Sequence, residues 1–227
     1  MSFRFSFILL FLIVKISFAQ NQSLVFHPVF GNSALRLSES YYTLTDKDSL
    51  QIETLKFYIS GVEFLNEGKI VFREENSFHL VDASDEKSLT ISLIIPKTIT
   101  LTQVKFNLGI DSITNISGAL GGDLDPTKGM YWTWQSGYIN FKLEGKSNLC
   151  KTRNNVFQFH LGGYQKPFYA LQTVTLDVNK NEKAEILFDL SKLIGTIDLS
   201  KQNEIMSPGK EAVLIAEKTP KIFSVKR

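Results

Sequence analysis

YINFKLEG, residues 138–145, alternates apolar and polar side chains: Ile139, Phe141 and Leu143 fall on one side, Asn140, Lys142 and Glu144 on the other. A period of two marks a β-strand with one face buried. The same rhythm recurs in LKFYISGVEF (55–64), KIVF (69–72), LTISLII (89–95), VKFNLGI (104–110), VFQFHL (156–161) and TVTLDV (173–178). These runs are rich in Val, Ile, Thr, Phe and Tyr. Clusters of Asn, Asp, Gly and Lys separate them, as turns separate strands. Helical periodicity is confined to LFDLSKLIG (187–195) and PGKEAVLIAEK (208–218). The expected fold is all-β, an immunoglobulin-like β-sandwich of antiparallel strands with one or two short helices.

Immediately upstream, GMYWT (129–133) and WQSG (134–137) carry both tryptophans of the chain, Trp132 and Trp134, between Tyr131 and Tyr138. If 131–143 is one regular strand, the two indoles share the polar side with Tyr138, Asn140, Lys142 and Glu144. A bulge at Ser136–Gly137 would exchange the faces. The rings are then either caps on the sandwich core or the working part of a site.

The amino terminus has a different character. Arg4 precedes a short apolar run, Phe5 to Val14, and Ser17-Phe18-Ala19 suits signal peptidase. The run is too short to span a bilayer, so residues 1–19 read as an export signal cut near Ala19. Residues 20–227 then form one domain, periplasmic or secreted, with no transmembrane segment. Cutting after Ala19 removes Arg4 and Lys15 from the 25 basic residues, leaving basic and acidic residues equal at 23 acidic ones. A chain without net charge has no electrostatic footprint for nucleic acid. Cys150 is alone and reads as a small buried hydrophobe rather than part of a disulfide framework.

Hydrolytic machinery is not visible: G-x-S-x-G, H-E-x-x-H and the phosphate-binding glycine loop are all missing from the sequence. Three histidines stand in strand-like runs. His27 follows Phe26, His79 lies between Phe78 and Leu80, and His160 lies between Phe159 and Leu161. Each therefore points away from the strongly apolar face of its own run, and a shared site would need those faces to converge. Imidazole suits copper, which tops the divalent affinity order. Carboxylates gather in GIDSITNISGALGGDLDP (109–126), where Asp111, Asp123 and Asp125 form a candidate calcium site of hard oxygen ligands. Turn and Asx hydrogen bonds account for the same residues.

Longer motifs give a further reading. VKFNLGIDSITNISGALGGDLDPTKGMYWTWQSGYINFKLEG (104–145) and FQFHLGG (157–163) resemble the signature region of the MbnP-like domain family. LVFHPVFGNSALRL (24–37), FHLVD (78–82) and NEIMSPGKEAVLIAEK (203–218) extend the resemblance over most of the mature chain. It implies an exported, copper-binding β-sandwich in which a tryptophan is oxidised to kynurenine. The oxidising partner would be a di-haem protein related to cytochrome c peroxidases. The W-x-W motif leaves Trp132 and Trp134 both open as the modified residue. His160 matches the family's pattern, and His27 and His79 complete the expected ligand set. On this reading the chain is a substrate and a metal binder, not an enzyme. The alternative is a sandwich module that binds a protein or glycan through its Trp/Tyr cluster.

Overall fold

The protein, seen in a computed structural model, is described over residues 19–135, 137–178 and 183–226; the expected export signal lies outside these residues, Ala19 excepted. The main strands in chain order are β1 (Ala19–Phe30), β2 (Ser49–Asn66), β3 (Lys69–Arg73), β4 (Phe78–Asp82) and β5 (Thr90–Pro96). They are followed by β6 (Gln103–Leu108), β7 (Gly137–Ser147), β8 (Val156–Gly162), β9 (Gln172–Asp177) and β10 (Lys183–Asp189). Each alternating run in the sequence falls within or across one of these strands.

Two sheets face each other. The larger one is organised on β2. Along one edge of β2, β7 pairs with residues 50–57 and β6 with residues 59–65. Along the other edge lie β4 and β3. Strand β8 continues outward from β7, and β9 from β6. The smaller sheet places β1 between β5, antiparallel, and β10, parallel. Phe223–Val225 adds to the far side of β10.

The parallel partnership of β1 with β10 corrects the expectation of purely antiparallel strands. A second parallel pair joins β8 to Glu204–Ile205. Alternation tells which face of a strand is buried but not which strand lies beside it, so the sequence could not show this.

The main core lies between the sheets and centres on Phe57 of β2. Its ring meets Phe26 of β1 at 6.1 Å, Phe188 of β10 at 5.1 Å, Phe223 at 5.8 Å and Phe141 of β7 at 5.9 Å. Most of these contacts are edge-to-face, the arrangement that aromatic quadrupoles favour. Among the described residues there are three α-helices. The two that the sequence predicts, α2 (Leu190–Ile194) and α3 (Lys210–Ala216), bury Leu190, Leu193 and Ile194, and Ala212, Ile215 and Ala216. Spacings of three and four put each trio on one helical face. The other helix, α1 (Ser112–Ile116), lies outside the two segments whose sequence has helical periodicity. No helix among the described residues is long and apolar enough to cross a membrane.

Candidate functional site

Residues 109–135 fold back over the outer face of the larger sheet. At Gly109 the chain turns with φ +114°, a value that side chains rarely allow. A Cβ there would collide with the Asn140 carboxamide. Without one, Asn140 lies against the turn and its Oδ1 accepts from the Ile110 N–H at 3.1 Å. Asp111 caps α1, accepting from the Thr114 N–H and hydroxyl at 2.9 and 2.8 Å. Asn115 Nδ2 donates to the Ile110 and Asp111 carbonyls at 3.0 and 2.9 Å, and its Oδ1 accepts from the Tyr138 N–H at 2.8 Å.

Two tyrosines pin the middle of the cover. The Tyr138 hydroxyl accepts from the Leu120 N–H at 2.9 Å and donates to the Leu124 carbonyl at 3.1 Å. The Tyr58 hydroxyl donates to the Asp123 carbonyl at 3.1 Å. Burial pushes the Tyr58 phenol far above its ordinary pKa, so it remains a donor. Asp123 accepts from the Leu80 N–H at 3.1 Å and pairs with Lys128 at 2.6 Å. Asp125 accepts from the Thr127 N–H and hydroxyl at 2.8 and 2.7 Å.

Beneath the cover lies a second apolar cluster, separate from the main core: Tyr58, Leu80, Ile110, Leu124, Met130, Trp132, Tyr138 and Ile139. It overturns two expectations. Residues 131–143 are not one strand. Tyr131–Trp132 folds back on β7 as a hairpin, with Trp132 opposite Gly137 and Tyr131 opposite Tyr138. A register shift between Ile139 and Phe141 then sends Ile139 into the second cluster while Phe141 and Leu143 stay in the main core. The faces thus exchange around Asn140; the alternative bulge at Ser136–Gly137 falls partly on Ser136, which lies outside the described residues.

Trp132 is 6 % exposed and lies on β8. A Cβ at Gly162 would stand 2.6 Å from its Cζ3 and 2.8 Å from its Cη2, so only glycine admits the indole there. Its Nε1 is buried and has no hydrogen-bond partner among the described residues. Trp134 tilts against it, ring centroids 6.3 Å apart at 55°, and is 66 % exposed. The two indoles form a pair with one buried and one exposed member.

His160 is two residues from Gly162 along β8 and therefore on the same face. It is buried, lies opposite Lys142, and its Nε2 is 2.7 Å from Glu144 Oε1. That hydrogen bond is the main reason the Glu144 carboxyl is held down at about 2; burial opposes it, and Thr54 and Lys142 assist. Lys142 Nζ stands 3.6 Å from the same carboxylate oxygen. The outer face of β7 and β8 thus brings Trp132, Trp134, His160, Glu144 and Lys142 into one neighbourhood.

The other two imidazoles are elsewhere. His27 lies on β1 between the inward-facing Phe26 and Pro28, on the outer face of the smaller sheet. Its Nε2 is 3.9 Å from Glu185, and burial, followed by Lys226, lowers its pKa. His160 and His27 are on opposite sides of the sandwich. His79 on β4 shares parity with Val81, which is in the main core, whereas its neighbours Phe78 and Leu80 belong to the second cluster. It therefore leaves the sheet on the side opposite to His160, against expectation, and its Nε2 meets Glu74 at 2.9 Å. Strand β4 is apolar on both sides, so alternation misassigned its faces.

Asp111, Asp123 and Asp125 are each taken up by a cap, a turn or an ion pair. Among the described residues no group of three or more His, Cys, Asp or Glu side chains is placed to hold a metal ion. Cys150 is free and buried. The features that sequence reasoning missed are Glu144 and Gly162. The period-two spacing of Glu144 from Lys142, and the glycine two residues after His160, were the available signals.

A family model described as MbnP matches residues 19–207. Among solved structures, MbnP from Methylosinus trichosporium has a similar fold, with a TM-score of 0.65 and 14 % sequence identity over 91 % of this chain and 98 % of that one. Comparison with curated proteins finds no match.

Proposed function

The chain belongs to the MbnP family, and on that premise we propose that it is an exported copper-handling protein. Its centre would be Trp132 with His160 and Glu144, matured by oxidation of Trp132 to kynurenine. The observation that carries this reading is the seating of Trp132 on Gly162, two residues from His160 on the same strand face. The three-histidine ligand set does not fit, because His27 and His79 leave the molecule on other faces. His160 and Glu144 supply an imidazole and a carboxylate within 2.7 Å of each other, and a copper ion would need at least one more donor. Kynurenine offers an aromatic amine and a ketone where the indole stood, so an oxidised Trp132 would complete a set that the encoded side chains leave short. Copper binding would then follow maturation.

On this reading the protein is periplasmic or secreted and is a substrate rather than a catalyst. A di-haem protein related to cytochrome c peroxidases would be the oxidant. Mass spectrometry of the mature protein from its native host tests the modification: one oxygen gained and one carbon lost, mapped to Trp132. An unmodified mass defeats it. Copper titration of that material tests the ligands. His160→Ala and Glu144→Gln should each lose the copper spectrum, and binding equal to the parent's removes that residue from the set.

A second reading rests on the exposure of Trp134. A large ring offered to solvent suits a protein or glycan contact, and Trp134→Ala would then abolish partner capture while copper has no effect.

A further inference from the structure

We propose that Trp134 is an electron relay, passing electrons from the buried Trp132 to a one-electron oxidant that remains outside the protein surface. This rests on the reading of Trp132 as the oxidised residue and adds the route. A haem iron enclosed in another protein cannot enter a pocket whose indole is 6 % exposed. Electrons must leave through an intermediate group. Trp134 is 66 % exposed, and its ring centroid is 6.3 Å from that of Trp132. Tunnelling falls exponentially with separation, so two rings in contact exchange an electron far faster than Trp132 does with a distant oxidant. Donor and acceptor are the same chemical group, so the energy of the hop is set by their surroundings, one indole buried and the other exposed.

The neighbouring tyrosines are poorer intermediates. Tyr138 meets Tyr131 at 4.9 Å and Tyr58 at 5.8 Å. Phenol oxidation requires loss of the hydroxyl proton, and the Tyr138 and Tyr58 hydroxyls point at carbonyl oxygens, which are weak bases. An indole can give up an electron and keep its proton. Trp132 Nε1 is buried and has no hydrogen-bond partner among the described residues. Each cycle balances simply. The oxidant gains one electron, Trp134 is oxidised and then reduced again by Trp132, and Trp132 is left as the radical cation; no bond forms or breaks. Beside this pair, Gln135 lines an open hollow of about 350 Å³ with Pro167, Phe168 and Pro208, a place for an oxidant protein to seat.

The test uses the mature protein with photogenerated tris(bipyridine)ruthenium(III) as the one-electron oxidant, reading oxidation at Trp132 by fragment-ion mapping. Trp134→Leu should lose most Trp132 oxidation, and Trp134→Tyr, redox-active and solvated, should restore much of it. In denaturant, where Trp132 meets the oxidant directly, the variants and the parent should oxidise alike. Equal Trp132 oxidation in folded parent and Trp134→Leu overturns the relay, even where native-host protein carries kynurenine at position 132. Relay dependence together with an unmodified native-host mass leaves the relay standing and defeats the maturation reading.

Discussion

Trp132 touches the backbone of β8 at Gly162, and the absent side chain of Gly162 is what lets the indole down onto the sheet. Gly162→Ala must therefore lift the ring. Overpacking of this kind destabilises by about 1 to 3 kcal/mol. A fall in melting temperature should come with a red shift of the Trp132 fluorescence as water reaches it. An unchanged spectrum would mean that the indole is not seated on β8.

Asn115 is the main polar tie of the cover over the second cluster. Asn115→Ala removes two donated hydrogen bonds and leaves the buried Tyr138 N–H without its acceptor. An unsatisfied buried group costs about 1 to 3 kcal/mol. Amide exchange should quicken in residues 110–138 while β1 and β10 stay protected, because the main core is untouched.

Glu63 gives the fold an acid-sensitive support. Burial alone would raise its pKa, but hydrogen bonds from Lys105 at 3.1 Å and Arg73 at 2.8 Å outweigh this and leave it below the ordinary 4.5. A depressed carboxyl contributes stability that is complete above its unfolded value and is lost as pH falls through the folded one. Denaturant midpoints should fall as pH drops below 4.5, and Glu63→Gln should flatten that slope at the expense of stability at neutral pH. Parallel slopes in parent and variant would contradict the assignment.

Cys150 should be inert in the folded protein. It is buried, and burial raises its thiol pKa, which lowers the thiolate fraction that reacts. Iodoacetamide should modify it slowly in buffer and completely in denaturant. Rapid modification of the native protein would show that the Ser147–Cys150 turn opens readily.

The strands were readable wherever one face of a strand is apolar and the other wet. β5 is the clearest case, with Ile91, Leu93 and Ile95 buried and Thr90, Ser92 and Ile94 exposed. Reading failed where both faces are covered. Phe78 and Leu80 on β4 looked like a core face and proved to belong to the second cluster, which turned the direction assigned to His79. It failed again at Trp132, because alternation runs through a hairpin without marking it. The candidate site was half legible. His160 and the two tryptophans stood out by type and position. The indole's platform at Gly162 and the carboxylate at Glu144 depend on how β7 registers against β8, which only coordinates supply. Nor does a sequence reveal that His27 and His160 end on opposite sides of a sandwich.

The lateral bond between β1 and β10 also sets a timetable. Ser23 aligns with Lys183 and Val29 with Asp189, so β1 waits for a strand made long after it. Until β10 emerges, β1 has one flank bare, and such distant pairings close slowly. The smaller sheet therefore stays incomplete through most of synthesis, and the fold locks only once both of its partners are made.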